Sequence, residues 1–440
     1  MSSFISPSRE TVAKIYLLSL GCPKNLVDSR GLLKKLGEKG IIFSSSPEES
    51  DILVVNTCGF IEEAKRESVE EILRIAELKK ASGNKKLIVY GCLAKRFGAE
   101  LRREIPEIDA IWGVGADEEI VGYCESLGLP QGEREGEGPA GELERPAYAY
   151  LKIAEGCDRG CGYCVIPDIR GVFRSREPGR ILAEAEDLVR AGARELILVA
   201  QDITSYGKEL EGYDLSRLVR EIAAVAGDFR IRLLYLYPTS IDETLLGTIA
   251  SEKKVCRYID MPLQHSERKI LKLMGRGGSR SYFERLIAKI REAVPEVSIR
   301  TTFIVGFPGE TDEDFESLLK FVRKMKFDRL GAFTYSKEEG TPAARLKGQV
   351  GKRKKRERYE KLMEVQSAVS LEKNKALVGK TFRALIDDVD GAVAVARLCS
   401  QSPEIDGVVF IEEGGLQKGD FVRAKIIEAY DYDLKGKVVR

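Results

Sequence analysis

Short apolar runs that alternate with amphipathic segments at helical spacing are the feature that most limits the fold of this chain. Over residues 13–128 the runs are IYLLSL (15–20), DILVVN (51–56), KLIVYG (86–91) and the weaker AIWGVG (110–115). Segments such as NLVDSRGLLKKLGEKG lie between them. Because parallel neighbouring strands need a crossover connection, usually a helix, this order predicts an N-terminal parallel α/β domain.

A second alternating series occupies residues 147–372. It follows the Gly-, Glu- and Pro-rich segment 129–146, which we interpret as a linker. Its predicted strands are AYLKIAE (149–155), ELILVA (195–200), RIRLLYLY (230–237), RYIDMP (257–262), SIRTTFIVG (298–306) and RLGAFTYS (329–336). Six βα units are too few for an eight-fold barrel, so we expect an open or partial TIM-like (βα)6 barrel.

The tail, residues 373–440, has a different pattern. After a highly charged helical stretch over 351–378, the segments TFRALIDDV, AVAVARL, GVVFIEE and DFVRAKIIEAYDY are rich in β-formers and separated by glycines. Short strands with such breaks predict a small antiparallel β-barrel. The fold class expected for the whole chain is therefore multidomain α/β.

Composition excludes several classes of function. The 440 residues include 71 basic and 70 acidic ones, so no global charge indicates nucleic acid or membrane. The start lacks the apolar run of a signal peptide, and no stretch approaches the ~18 apolar residues of a membrane span. We therefore expect a cytoplasmic protein with no membrane partner. Because His265 is the only histidine, a Ser-His-Asp hydrolase or a His-rich zinc enzyme is not expected.

Nine cysteines in a reducing compartment favour metal binding or catalysis over a disulfide framework. Three of them lie in EGCDRGCGYCVIPDIRG (155–171), just after a predicted strand, and we call Cys157, Cys161 and Cys164 the loop trio. A cubic iron–sulfur cluster has four irons, so three thiolates leave one iron open to react. The alternative is a structural zinc site, which takes four N or S ligands, and no fourth lies nearby.

Three further cysteines share a position in the predicted sheet. Cys22, Cys58 and Cys92, which we call the edge trio, are 36 and 34 residues apart, and each follows a predicted strand closely. Because such points lie on one edge of a parallel sheet, we expect the thiols to converge. The alternative, buried cysteines acting as small hydrophobes, explains one such position better than three. The other cysteines show no partner pattern and are interpreted as packing residues: Cys124, Cys256 and Cys399.

With CxxxCxxC after the first strand of a partial barrel, the chain resembles the radical S-adenosylmethionine (SAM) enzymes. The resemblance implies that SAM chelates the open iron, and that reduction releases a 5′-deoxyadenosyl radical that abstracts hydrogen from unactivated carbon. It also implies that Tyr163 packs beside the adenine. At the end of the second strand, VAQD stands where the superfamily has Gly-Gly-Glu, so Gln201 is the SAM contact expected there.

TTFIVGFPGE (301–310) resembles the strand that contacts adenine in this superfamily, with Ile304 and Gly306 in matching positions. Thr302 replaces the usual glycine, and the acid, Glu310, stands one place late. The same segment also fits a buried strand, a tight turn and a helix start with Thr311 as the cap and Asp314 at the third position. The two interpretations are compatible.

Over its whole length the chain resembles the methylthiotransferases, in which a radical SAM barrel lies between an N-terminal domain and a TRAM module. The resemblance implies two [4Fe-4S] clusters, on the loop trio and on the edge trio, the second of which binds or delivers sulfur. It implies two SAM molecules, one that donates a methyl group and one that forms the radical. A reducing electron donor and a sulfur donor are implied as partners.

Segments along the chain match the RimO-type branch, including SLGCPKNLVDSR (19–30), MPLQHS (261–266) and PEIDG (403–407). That branch adds a methylthio group to the β-carbon of an aspartate in the twelfth protein of the small ribosomal subunit. The alternative is a tRNA adenosine methylthiotransferase, in which glutamine is expected where Pro23 stands and asparagine where Asp202 stands. A third hypothesis is a non-catalytic, zinc-stabilised RNA-binding scaffold.

Local charge bears on the partner. Residues 376–440 contain nine Lys or Arg and eleven Asp or Glu, a net charge of −2, which favours a basic ribosomal protein over RNA. The run GKRKKRERYEK is interpreted as a solvated helix start or, alternatively, as a contact with ribosomal RNA. GRGGS (275–279) fits a plain loop or a phosphate cradle. His265 fits a hydrogen-bonded structural role or a place in the substrate pocket.

Overall fold

The computed structural model describes residues 12–128 and 147–439, so the predicted linker over 129–146 lies outside the described residues. Contacts divide the chain into two compact units. The first contains the described residues up to 128 together with Asp168–Arg170, and the second contains the remainder. No helix in the described parts is long and apolar enough to cross a membrane. The domain limits proposed from the sequence stay predictions.

The first unit is built on a parallel sheet with the strand order β2–β1–β3–β4–β5. Its strands are β1 (Lys14–Ser19), β2 (Ile42–Phe43), β3 (Ile52–Thr57), β4 (Lys86–Gly91) and β5 (Ala110–Trp112). Its helices are α1 (Pro23–Gly37), α2 (Glu62–Ser82), α3 (Cys92–Glu104) and α4 (Asp117–Ser126). The predicted parallel α/β domain is confirmed, and the two-residue edge strand β2 is the element that the sequence did not reveal.

Both faces of this sheet are covered. Along β3, Ile52 and Val54 join one apolar cluster while Leu53 and Val55 join another on the opposite face. A strand buried on both faces needs apolar residues at every position, which is why DILVVN reads as a continuous apolar run.

The second unit contains six parallel strands and their helices. The strands are β6 (Tyr148–Lys152), β9 (Glu195–Val199), β10 (Arg230–Leu233), β11 (Tyr258–Asp260), β12 (Ser298–Val305) and β13 (Arg329–Thr334). A short antiparallel pair, β7 (Ala154–Glu155) and β8 (Arg174–Ser175), follows β6. Helix α5 (Ile166–Arg170) ends in the three residues that belong to the first unit. The other helices are α6 (Pro178–Arg190), α7 (Leu215–Ala224), α8 (Glu243–Ser251), α9 (Arg268–Leu273), α10 (Arg280–Ala293) and α11 (Asp312–Met325).

The six strands form a partial barrel. The triplets β6–β9–β10 and β11–β12–β13 each pair in parallel, and the backbone N–H of Leu236 donates to Asp260 O at 2.9 Å to link them. Strands β6 and β13 do not pair with each other in the described residues. Alternate residues such as Ile231, Ile259 and Phe303 pack outward against the helices in one large core. The predicted partial (βα)6 barrel is confirmed.

The tail forms a closed five-stranded barrel in the order β14–β15–β16–β18–β17. Its strands are β14 (Thr381–Asp390), β15 (Val393–Leu398), β16 (Val409–Glu412), β17 (Phe421–Ala429) and β18 (Leu434–Val438). The predicted small barrel is confirmed with one difference, because β16 and β18 pair in parallel while the other four pairings are antiparallel. Helix α12 (Lys352–Lys375) precedes it and contains the domain limit predicted at residue 372.

The tail barrel is docked onto the partial barrel by polar contacts, of which the first is fully buried. Arg397, on β15, forms an ion pair with Glu195 of β9 at 2.9 Å. The Tyr258 hydroxyl of β11 donates to Asp406 at 2.7 Å, and the Tyr148 hydroxyl of β6 donates to Glu404 at 2.8 Å. The segment 397–406 therefore contacts residues at the N-terminal ends of three barrel strands.

Candidate functional site

The edge trio follows three neighbouring strands of the first sheet. Cys22 is the N-cap residue of α1 after β1, Cys58 directly follows β3, and Cys92 is the first residue of α3 directly after β4. The connecting backbone is packed tightly there. A Cβ on Gly21 would lie 2.8 Å from Cys58 Sγ, and a Cβ on Gly59 would lie 2.9 Å from the carbonyl carbon of Cys92. The predicted convergence is therefore present.

Asn25 is the polar residue at the centre of the edge trio. Its Oδ1 lies 3.9 Å from Cys22 Sγ and 3.8 Å from Cys92 Sγ, while its Nδ2 donates to Leu20 O at 2.8 Å and Thr57 O at 3.2 Å. The side chain is fully buried with both ends bonded. It therefore fixes the relative position of the loops that follow β1 and β3.

A second polar residue reaches the edge trio from far along the chain. Arg170 belongs to the first unit by its contacts, and its guanidinium donates to Asn25 Oδ1 at 2.6 Å and pairs with Asp28 at 3.0 Å. Its side chain is buried. A cation at this place compensates the charge of nearby thiolates, which are the form in which cysteine binds iron.

Burial controls the protonation of two cysteines of the edge trio, Cys58 and Cys92. It is the main reason that the pKa of the Cys58 thiol is raised to about 11, and charge on Cys22 and Cys92 adds to the rise. Burial also raises the pKa of Cys92, against the opposing effect of Arg170. Without metal these groups are thiols at neutral pH, so metal binding has to displace protons.

The loop trio lies between β7 and β8. The N–H of Cys157 donates to Gly171 O at 3.1 Å and the N–H of Cys164 donates to Cys161 O at 3.0 Å, so the segment closes on itself. Gly156 (φ +75°) makes the closest approach, because a Cβ there would lie 2.1 Å from Val172 O and 2.6 Å from Gly171 O. Burial raises the pKa of Cys164 to about 12, and charge on the two other cysteines of the trio adds to the rise.

Three of the four predicted SAM contacts lie together. Tyr163 and Ile304 pack in one apolar cluster with Phe307, and the rings of Tyr163 and Phe307 meet edge to face at 6.4 Å. Gly306 lies between Ile304 and Phe307 at the end of β12, with φ +71°. Apolar and aromatic side chains of this kind suit contact with an adenine ring.

A buried carboxylate holds the turn that contains Gly306. Glu310 accepts hydrogen bonds from the N–H groups of Gly306 and Phe307, the second at 3.0 Å. Arg358 of α12 lies 3.4 Å from Glu310 Oε1. The late position of the acid in TTFIVGFPGE therefore has a structural role, and Thr311 and Asp314 form the predicted capping box of α11.

Gln201, the fourth predicted contact, follows β9. Its Nε2 donates to Glu155 at 3.0 Å, next to the start of the loop trio. Its Oε1 is buried and has no hydrogen-bond partner within the described residues. A buried acceptor without a partner is costly, so it is available to a donor on a bound molecule.

The residues with open interpretations have definite contacts. His265 is fully buried; its Nδ1 accepts from the Glu267 N–H at 3.0 Å, whereas its Nε2 has no hydrogen-bond partner within the described residues. Arg358 and Lys354 of the basic run pair with Asp312 of α11 at 2.8 and 2.7 Å, so part of that run is neutralised within the chain.

Of the cysteines interpreted as packing residues, two are buried in the core, Cys124 and Cys256. Cys399 is exposed, and its thiol hydrogen-bonds that of Cys256. The contact was not foreseen because these two cysteines lie on different barrels.

Neither trio is arranged as the ligands of a single ion. Within 12–128 and 147–439, no group of three or more His, Cys, Asp or Glu side chains could hold a metal ion. A four-iron cube is wider than one ion, so its three thiolates stand farther apart than the ligands of zinc.

Three family models match the chain. They are described as "Radical SAM superfamily" over residues 151–322, "Uncharacterized protein family UPF0004" over 14–113 and "TRAM domain" over 378–439. A curated relative from Thermodesulfovibrio yellowstonii, "Ribosomal protein uS12 methylthiotransferase RimO", is 50% identical over 96% of this chain and 99% of its own length. The chain belongs to the RimO family of radical SAM methylthiotransferases. It is an enzyme of the transferase class, and its chemistry uses an iron–sulfur cluster and SAM.

Other comparisons agree with this assignment. The relative of the same name from Geobacter sulfurreducens is 46% identical over 97% of this chain and 98% of its own length. Two structures of the radical SAM methyltransferase TsrM from Kitasatospora setae superpose with a TM-score of 0.55 at 14% identity. They cover 87–88% of this chain, and the chain covers 79–81% of theirs. At that identity the likeness shows the fold alone.

Sequence reasoning missed four polar residues that support the sites: Asn25, Arg170, Arg276 and Arg358. Asn25 had a local signal, because it lies three residues after Cys22 at a helix start. The three arginines had none, since their partners lie 145, 115 and 48 residues away along the chain.

Proposed function

We propose that this chain adds a methylthio group to the β-carbon of an aspartate in ribosomal protein uS12. The observation that carries the proposal is the near full-length identity of 50% with a relative of that printed name. Pro23 and Asp202, which depart from the residues expected in the tRNA-modifying branch, support the same substrate.

In this proposal the loop trio holds a [4Fe-4S] cluster with one open iron. When bound, the cluster and SAM supply the one-electron chemistry that opens an unactivated C–H bond. Three thiols and no fourth ligand in a tightly closed loop fit that role. Tyr163, Ile304 and Gly306 form the adenine wall, and Gln201 offers its unpartnered Oε1 to SAM.

The edge trio holds a second [4Fe-4S] cluster, which binds or delivers the sulfur. The convergence of Cys22, Cys58 and Cys92 at one sheet edge supports this role, and so does the buried cation of Arg170 beside them. Asn25 keeps the cysteine loops at a fixed spacing, which a cluster with three protein ligands requires.

The partners follow from this chemistry. The enzyme works in the cytoplasm with a reducing electron donor and a sulfur donor, and a second SAM donates the methyl group. The match to a TRAM domain over 378–439 supports a contact with ribosomal RNA when uS12 is modified within the subunit.

Mass spectrometry of ribosomal proteins and of tRNA nucleosides, from cells with and without this gene, tests the substrate. We expect the methylthio mass increment to disappear from uS12 while tRNA is unchanged. Loss from tRNA adenosine with uS12 unchanged would overturn the substrate and keep the radical chemistry.

Alanine variants of the two trios test the division of labour. Cys157→Ala is expected to abolish reductive SAM cleavage, whereas Cys58→Ala leaves cleavage intact and stops formation of the methylthio product. Each variant should lose about half of the iron, because each trio holds one of two equal clusters. Cys124→Ala, a buried cysteine outside both trios, is the control and should keep all the iron. If folded Cys58→Ala also lost SAM cleavage, the two clusters would not have separate roles.

A further inference from the structure

The GRGGS loop and the residue before it pack directly on the segment that contains the loop trio. The N–H of Gly162 donates to Met274 O at 2.8 Å, and a Cβ on Gly275 would lie 2.8 Å from Gly160 O. Gly275 also has a φ of +66°, which favours glycine. These contacts hold the loop, and with it Arg276, at a fixed place beside the cysteines.

That arginine, Arg276, contacts a cysteine sulfur. Its Nη1 donates to Cys161 Sγ at 3.5 Å and its Nη2 donates to Pro262 O at 2.7 Å. Its guanidinium also lies 4.4 Å from the ring centre of Tyr237. A planar guanidinium with both ends bonded and one face stacked has a single orientation.

The charge of Arg276 has no carboxylate partner in the part of the chain that the structure describes. Arg159, which stacks on the same Tyr237 ring at 3.9 Å, differs because it pairs with Asp202 at 2.6 Å. A partly buried cation needs a compensating charge. The group placed to supply it is Cys161, once this cysteine is a thiolate.

We propose that Arg276 is a positioning residue for the cluster of the loop trio, which donates a hydrogen bond to the Cys161 thiolate and raises the reduction potential of the cluster. This inference rests on the proposed function, in which Cys161 is an iron ligand. It gives the GRGGS loop a role that neither a plain loop nor a phosphate cradle describes.

The sign of the effect follows from electrostatics. Reduction adds one negative charge to a cluster that already carries three thiolates, so a nearby cation stabilises the reduced form more than the oxidised form. A hydrogen bond to a ligand sulfur acts in the same direction. Removing the cation therefore makes the cluster harder to reduce.

A redox titration followed by electron paramagnetic resonance tests this effect. The full-length chain with Cys22, Cys58 and Cys92 replaced by alanine is loaded anaerobically, so only the loop trio can hold a cluster. In that background, Arg276→Gln should lower the equilibrium constant for one-electron reduction about tenfold, which is a shift of about −59 mV without SAM. Arg276→Lys, which keeps the charge, should shift less. Arg268→Gln, at an exposed arginine of α9, is the control and should not shift.

The outcomes separate the two proposals. If the triple-alanine chain, with Arg276 unchanged, binds no four-iron cluster, the proposed function fails. If it binds one and Arg276→Gln leaves the potential unchanged, the role of Arg276 is overturned and the proposed function stands. Weaker SAM binding with an unchanged SAM-free potential would also overturn it.

A measurement on the triple-alanine chain with Arg276 unchanged covers the case in which the Arg276 variants do not bind a cluster. Protein labelled with ¹⁵N in the arginine guanidinium should show a weak nitrogen coupling to the reduced cluster in electron spin echo envelope modulation. The hydrogen bond from Nη1 to Cys161 Sγ is the path for that coupling. A spectrum without a ¹⁵N coupling would contradict the proposal.

Discussion

Gly156, directly before the loop trio, is a position at which a side chain cannot be placed. Its Cβ would lie within 2.6 Å of Gly171 O, a backbone atom that the N–H of Cys157 also needs. Gly156→Ala should therefore open the loop and remove the iron bound by the loop trio, about half of the total. Iron analysis after anaerobic loading measures the loss.

Gly160 is the matched control for that change. It also has a positive φ, +61°, but a Cβ there would meet nothing within 4 Å. Gly160→Ala should cost about 1 kcal/mol of backbone strain and keep the iron. Equal iron loss in the two variants would mean that the iron is lost through backbone strain at a positive φ, and not through the contact of the new Cβ with Gly171 O.

At the scale of elements, the connection from β12 to α11 depends on a residue outside both. Glu310 bonds two N–H groups of the turn beside Ile304 and Gly306, and α12 supplies Arg358 to hold that carboxylate. The basic helix start is thus part of the support of the proposed adenine wall. A run of charged residues does not reveal this contact from the sequence, because the element packed beside the helix decides which of its faces is buried.

Glu310→Ala is expected to weaken SAM binding about tenfold, which is about 1.4 kcal/mol, because two turn N–H groups lose their acceptor. Calorimetric titration of the cluster-loaded enzyme with SAM measures the affinity. Glu316→Ala, at a glutamate of α11 that pairs with Lys361 on the surface, is the control. The prediction fails if both variants bind SAM as the parent does.

At the scale of the whole second unit, buried charge joins the two barrels. Glu195 contacts Arg230 at 2.7 Å, Arg232 at 2.5 Å and Arg397 at 2.9 Å, and all four side chains are buried. Asp387, Glu404 and Asp406 are also engaged in contacts within this unit. Because these charges are paired within the unit, the net charge of −2 does not describe the surface of the tail. It therefore does not decide between a basic ribosomal protein and RNA as the partner.

Arg397→Met should destabilise the docking of the tail barrel by about 3 kcal/mol, because it removes one partner of a buried ion pair. Arg383 is the matched control, since it also joins the tail barrel to an acid of the partial barrel, Asp228, but at the surface. Arg383→Met should cost less than about 1 kcal/mol. The midpoint of thermal unfolding of each variant measures the difference, and equal midpoints would contradict it.

Acid stability should depend on the same network. Burial raises the pKa of Glu195, but the charges of Arg230, Arg232 and Arg397 outweigh it and hold that pKa well below its ordinary value of 4.5. Folded Glu195 thus binds fewer protons than the unfolded chain, so its contribution is complete above pH 4.5 and is lost as the pH falls below it. Glu195→Gln should flatten the decline of the unfolding midpoint below pH 4.5, whereas Glu211→Gln, at an exposed glutamate, should not.

Much of the fold was readable from the sequence because its signals are local. Apolar periodicity located the strands of both βα series to within a few residues, apart from the two-residue strands β2 and β8. The tail barrel was also predicted, but the parallel pairing of β16 and β18 was not, since pairing direction depends on how the closed barrel is threaded. The spacing within the loop trio, and the common position of the edge trio after three strands, are likewise local properties.

What the sequence by itself determined is the order of elements and the two sets of three thiols. Only the tertiary structure decided which charged residues support them. Arg276 lies 115 residues from Cys161, and Arg170 lies 145 residues from Asn25. The position of a charged side chain in the sequence does not indicate which residue it contacts. Burial of an ion pair depends on the packing of whole elements. The sequence thus determined the two cysteine sets that we propose as ligands, and tertiary packing decided their electrostatic surroundings.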